Sequence, residues 1–144
     1  MKINDILARK GSVVYTINES APLSAALKKL VSHKIGALVV LNDEGIISGI
    51  LSERDILRAS YTDPEEYLEN SVGTYMTYDV LIAEPHDSLD YAETIMTNNR
   101  FRHLPIIKDQ TLVGLISIGD IVKTLLSETR EDNKYLKDYI TGTR

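Results

Sequence analysis

The chain has 144 residues, 43% of them hydrophobic and 26% charged, enough to bury a core and too few for two ordinary domains. It contains no cysteine, which excludes disulfides, thiol nucleophiles and cysteine-based zinc sites and makes a reducing cytoplasm the expected compartment. Its net charge of -5 disfavours bulk binding to a phosphate backbone, and no apolar run approaches the roughly 20 residues that cross a bilayer, so neither nucleic acid nor a membrane is an expected partner.

In chain order, residues 1–12 form a short amino-terminal helix whose apolar stripe is Ile3, Ile6 and Leu7. A first unit, 13–60, begins with a strand from Val13 to Ile17, rich in branched and aromatic residues. A helix from Ser24 to Val31 follows, with Ala26, Leu27 and Leu30 on one face. Ala37 to Leu41 is an unbroken buried strand, turned by Asn42 to Gly45 into a strand from Ile46 to Leu51. Ser52 then caps a helix containing Asp55, Ile56 and Leu57. Residues 61–75 are polar, carry Asp63-Pro64-Glu65-Glu66 and read as a linker. The second unit, 76–127, repeats the order with strand Val80 to Ala83, helix Leu89 to Thr97, strands Leu104 to Ile107 and Leu112 to Ile116, and a helix capped by Ser117. Residues 128–144 form a helical tail, and a stripe of Leu125, Leu126, Tyr135, Leu136, Tyr139 and Ile140 runs into it.

The two units are copies of one pattern. Gly49-Ile50-Leu51-Ser52-Glu53-Arg54-Asp55 is matched by Gly114-Leu115-Ile116-Ser117-Ile118-Gly119-Asp120, an offset of 65 residues (114 minus 49). Upstream, Leu23, Ala26, Leu30, Leu38 and Val40 find Leu89, Ala92, Met96, Leu104 and Ile106 at an offset of 66 (89 minus 23). The second copy has therefore lost one residue, most simply in the turn, where a deletion leaves both strand registers intact. Strands this apolar predict that the two copies pack on each other and share a core.

No metal-ligand spacing, dinucleotide fingerprint, phosphate loop or nucleophile elbow occurs in the chain, and an enzyme is not expected. The paired Ser-x-x-Asp segments have two readings. They are helix caps, or they are binding elements in which the serine and the free helix amides meet a phosphate while the aspartate accepts from paired ribose hydroxyls. Asn99-Arg100-Phe101-Arg102-His103-Leu104-Pro105 adds a basic cluster, with Arg102 suited to a phosphate fork and His103 able to donate from either nitrogen. The matching stretch of the first copy has Ile35-Gly36-Ala37, which offers either core packing or a close apolar slot for a purine.

These motifs resemble tandem cystathionine-beta-synthase (CBS) domains, the pair often called a Bateman module, over about Val13 to Leu126. The resemblance implies an α/β (α+β) fold in which each repeat runs β-α-β-β-α and the sheets pack about a pseudo-twofold axis. It implies a non-catalytic regulatory module that binds adenosine-containing ligands between the repeats: AMP first, with ADP, ATP, S-adenosylmethionine and NAD as further candidates. Carried onto this chain, it groups Ser117, Asp120, Arg102 and His103 with Ile35, Gly36 and the first strand around Tyr15. A pseudo-equivalent site has Ser52 and Asp55, completed by Phe101 and the segment from Thr77 to Leu81. The first of these holds Arg102 and is expected to bind more tightly. A homodimer, closed partly by the Leu125 to Ile140 stripe, and an unidentified regulated protein are the expected partners. A second reading makes the chain an interaction scaffold with vestigial pockets.

Overall fold

The computed structural model describes residues 1–11 and 13–128. The element order is α1 (Ile3–Lys10), β1 (Thr16–Asn18), α2 (Leu23–His33), β2 (Ala37–Leu41), β3 (Ile47–Ser52), α3 (Glu53–Thr62), α4 (Val72–Tyr75), α5 (Leu89–Asn99), β4 (His103–Lys108) and β5 (Thr111–Ser117), followed by a helix over 118–128, here α6. The part of the expected apolar stripe contributed by Tyr135, Leu136, Tyr139 and Ile140 lies outside the described residues.

The repeat is visible in the hydrogen bonding. In the first copy β1 pairs parallel with β2, and β2 pairs antiparallel with β3. In the second, β4 and β5 are antiparallel with Leu104 opposite Ile116, the counterpart of Leu38 opposite Leu51. Both hairpins carry an irregularity at the same place, after Val40 and after Ile106. The missing residue lies in the turn, as expected: the second hairpin closes through Asp109 and Gln110, both at positive φ (50° and 65°), which is the tight two-residue geometry that matches strand twist.

The strand expected over Val80 to Ala83 is reduced to one parallel bridge, Ala83 to Ile106. Pro105 explains the loss. Its counterpart Val39 donates its N–H to the carbonyl of Tyr15, 3.3 Å away, whereas proline has no N–H to give and the ladder stops after the Ala83 contacts.

The packing departs from the shared core that the repeats suggested. Buried apolar side chains form two clusters. One contains Leu23, Ala26, Leu30, Leu38, Val40, Leu51, Ile56 and Ala59 of the first repeat, and the other contains Leu89, Ala92, Met96, Leu104, Ile106, Ile116 and Ile121 of the second. Burial of each large aliphatic side chain stabilises the fold by about 1.5–3 kcal/mol, so every helix that covers a sheet face contributes substantially. Each core is completed by chain from outside its own repeat. Ile3, Ile6 and Leu7 of α1 enter the second core, while Val72 and Met76, in and just after α4, enter the first. The stretch expected to be a polar linker thus supplies Val72 to the first core, with Tyr67 and Tyr75 packed against it. Isolated bridges pin both crossings, Lys2 to Ser88 and Ser71 to Pro22.

Gly49 and Gly114, equivalent in the repeat, are where these crossing segments touch the sheets. A Cβ on Gly49 would stand 2.6 Å from the Thr77 carbonyl oxygen, and one on Gly114 would stand 2.5 Å from a Leu7 methyl. Absence of a side chain at each position lets the covering segment approach.

Candidate functional site

Both strand-to-helix junctions have the same local geometry because both are capping boxes. Ser52 ends β3 and caps α3: its amide donates to Asp55 Oδ2 at 2.8 Å, its hydroxyl lies 3.1 Å from the same oxygen, and the Asp55 amide returns to Ser52 Oγ at 3.4 Å. Ser117 ends β5 and does the same with Asp120, at 2.8 Å from its amide and 3.0 Å back to its hydroxyl. The carbonyls of Gly36 and Arg102, equivalent in the repeat, hold the two helix starts by accepting from Glu53 N and Ile118 N at 3.0 and 2.9 Å. Both Ser-x-x-Asp segments are thus helix caps in the structure.

A cleft of about 510 Å³ lies between the repeats. From the first repeat it is lined by Gly36, Ile50, Ser52, Glu53, Arg54, Asp55 and Arg58. From the second it takes Thr77, Val80, Arg100, Phe101, Arg102 and His103. The turn after α5 is what delivers the last four. Arg100 closes that helix in the left-handed conformation (φ 59°), with its N–H directed to the carbonyls of Met96 and Thr97, and the chain then runs past the cleft into β4.

Asp55 is 5% exposed on the cleft wall, with Thr77 Oγ1 3.4 Å and an Arg58 guanidinium nitrogen 3.8 Å from its Oδ1. The Arg58 contact is loose and its side chain is mostly exposed, so solvent screens the pair. Four arginines, Arg54, Arg58, Arg100 and Arg102, and two acidic residues, Glu53 and Asp55, line the cleft. In a chain of net charge -5, this is a local positive field. Burial drives the His103 pKa below the ordinary imidazole value, the charges of Lys10 and Arg102 push the same way, and Asp120 and Glu53 oppose them.

The lining of this cleft groups the residues differently from the sequence reading. Arg102 and His103 line a cleft with Ser52 and Asp55, together with Phe101 and Thr77, while Ser117 and Asp120 are not among its lining residues. Gly36 lines the cleft, but Ile35 turns into a separate apolar groove with Leu27, Leu30, Val31, Lys34, Glu53 and Ile56. Tyr15 stands elsewhere, its ring stacked on His33 with centroids 3.8 Å apart and packed against the first core. Arg58 escaped the sequence reading, although it had a signal, since a residue three places after Asp55 shares its helix face. Arg100, from the basic cluster, and Val80, from the segment Thr77 to Leu81, line the cleft with Ser52 and Asp55.

The second motif has a different neighbour. Lys10, in the last turn of α1, donates 2.7 Å to Asp120 Oδ2 and 2.7 Å to the Leu115 carbonyl. Burial alone raises the Asp120 carboxyl, but hydrogen bonds from Lys10 and from Ser117, with the Lys10 charge, outweigh it and hold the group below the ordinary carboxylate value. Among the described residues no group of His, Asp and Glu is arranged to hold a metal ion, and no helix is long and apolar enough to cross a membrane.

Comparison with known proteins places the architecture. The CBS domain family matches residues 4–62 and 72–127. The chain is similar to the CBS domain-containing protein CBSX3, mitochondrial, of Arabidopsis thaliana, with 36% identity over 121 residues, and covers 81% of this chain but 59% of the plant protein. It therefore spans less than two thirds of that relative's length. Among solved structures it is similar to the CBS-domain containing protein ATU1752 from Agrobacterium tumefaciens, with 38% identity, a TM-score of 0.81 and coverage of 86% of this chain and 98% of that one. It also shares its fold with CBSX2, solved in complex with AMP, at 23% identity, a TM-score of 0.71 and coverage of 89% and 98%.

Proposed function

The chain belongs to the CBS-domain family, whose paired domains are typically non-catalytic regulatory modules, and from that premise we propose that it senses an adenosine-containing ligand, AMP before others, in the cleft between its repeats. The observation that carries the reading is the meeting, in one cleft, of four arginines with the capped start of α3 and the buried Asp55 carboxylate. Each part suits one part of a nucleotide. Guanidinium groups and the helix start favour a phosphate, and Asp55, which shares its wall with the neutral Thr77 hydroxyl, accepts from ribose hydroxyls. Ile50, Val80 and Phe101 offer apolar surface to a purine ring. That CBSX2, of the same fold, was solved with AMP supports the choice of ligand class.

The cleft has charged and polar walls suited to binding, and ligand occupancy itself is the signal. A homodimer is part of the proposal: Val31, Leu57 and Tyr61 on α2 and α3 are 70, 72 and 90% exposed, apolar surface suited to a second copy. The protein regulated by this module is a separate chain or further sequence joined to this one. Isothermal titration of the purified protein with AMP, ADP, ATP, S-adenosylmethionine and NAD tests the reading. Saturable binding of AMP, weakened in the Asp55→Asn protein, supports it, and absence of binding by all five at millimolar concentration replaces it with the scaffold reading.

A further inference from the structure

We infer that Lys10 is a tethered plug for the second motif, so that this module takes up one nucleotide per chain and rejects a second. The inference rests on the nucleotide reading of the first cleft and concerns the second strand-to-helix junction, Ser117 and Asp120, which does not line that cleft.

The two capping boxes make the comparison internal. Both aspartates accept a serine amide at 2.8 Å through Oδ2. At Asp55 the neighbouring segment contributes a neutral hydroxyl, Thr77 Oγ1, at 3.4 Å. At Asp120 it contributes an ammonium at 2.7 Å, which also donates to the Leu115 carbonyl of the adjoining strand. Oδ2 of each aspartate already accepts twice, from the Ser52 amide and hydroxyl at Asp55 and from the Ser117 amide and Lys10 at Asp120, so what distinguishes Asp120 is that one of its two donors is a cation. An incoming hydroxyl at that oxygen must displace a charge-assisted bond of near-ideal length.

Lys10 is placed there by packing. Ile3, Ile6 and Leu7 are buried in the second core, and Leu7 sits over the bare Gly114 in the strand that leads to Ser117. Lysine at the end of α1 is thereby carried to the carboxylate one junction away. The bond is still breakable, because the Lys10 side chain is 43% exposed and its flexible stem has solvent to move into.

Equilibrium dialysis with radiolabelled AMP decides the matter. The expected result is a single AMP per chain for the parent and for Lys10→Arg, which keeps the cation, and two for Lys10→Ala, the second at least tenfold weaker. Lys10→Met, which keeps the aliphatic stem, serves if the alanine protein does not fold. Two AMP per parent chain, or one in a folded variant without the cation, overturns the plug while leaving the nucleotide reading intact. Failure of AMP to bind the parent and every variant removes the nucleotide reading and the plug's role together. Acylation by an amine-reactive ester, read by peptide mass without nucleotide, checks the contact itself: Lys10 should react several-fold more slowly in the parent than in Asp120→Asn, and equal rates overturn the plug.

Discussion

A Cβ placed on Gly114 would stand 2.5 Å from the Cδ2 methyl of Leu7, so the amino-terminal helix and the last strand of the second repeat meet at a contact that only glycine permits. The equivalent Gly49 is confronted by the Thr77 carbonyl oxygen at 2.6 Å and the Met76 sulfur at 2.8 Å. A leucine methyl moves by rotation about its side chain, whereas a backbone carbonyl moves only with its segment. Gly49→Ala should therefore destabilise the protein more than Gly114→Ala, with both inside the roughly 1–3 kcal/mol typical of overpacking. Urea unfolding of the two variants measures the difference, and a larger loss at Gly114 would refute this account of the crossings.

Arg102 is exposed at the cleft mouth and shares its task with Arg54, Arg58 and Arg100. Arg102→Ala should weaken AMP by about tenfold, or ~1.4 kcal/mol, and uncharged adenosine by much less. Calorimetric titration with both ligands separates the cases. Equal losses mean that the side chain holds the pocket together and does not pair with phosphate.

With the cleft as the proposed site, the ribose preference is expected at Asp55. Removing a hydroxyl that a buried carboxylate accepts from costs roughly 1–3 kcal/mol, so the parent should prefer AMP to 2'-deoxy-AMP by about fivefold or more. Asp55→Asn should shrink that preference and Asp120→Asn should leave it in place. The opposite pattern would restore the grouping read from the sequence.

His103 supplies a pH dependence whose direction follows from its environment. Its folded pKa lies below the ordinary 6.5, so the side chain is neutral at pH 7 and the folded state resists protonation. In the ligand-free protein the contribution of this group to stability is complete above about pH 6.5 and is lost as pH falls through and below that value, because the unfolded chain binds the proton first. An anionic phosphate brought beside it reverses the balance and favours imidazolium. AMP binding should take up protons near pH 6.5, seen as an apparent binding enthalpy that varies with buffer ionisation heat, and His103→Gln should abolish the variation.

The repeat, its one-residue deletion, the order of elements and the two Ser-x-x-Asp junctions were legible in the sequence because each depends on local spacing: apolar period, turn length and capping chemistry. Pro105 even carried the signal for the shortened strand, since a missing N–H is a property of the residue alone. Which motif meets the basic cluster was not legible. Arg102 and His103 are near Ser117 in the chain and across the β4–β5 ladder, where His103 pairs with Ser117, yet they line a cleft with Ser52 and Asp55. That choice belongs to the packing of one repeat against the other, and to α1, which crosses to the second core and sets Lys10 on Asp120. Local pattern fixes which residues lie on one element. Contacts between elements distant in the chain depend on how apolar faces pair in space, and here those pairings bring Asp55 to the cleft wall beside Thr77 and set Lys10 on Asp120.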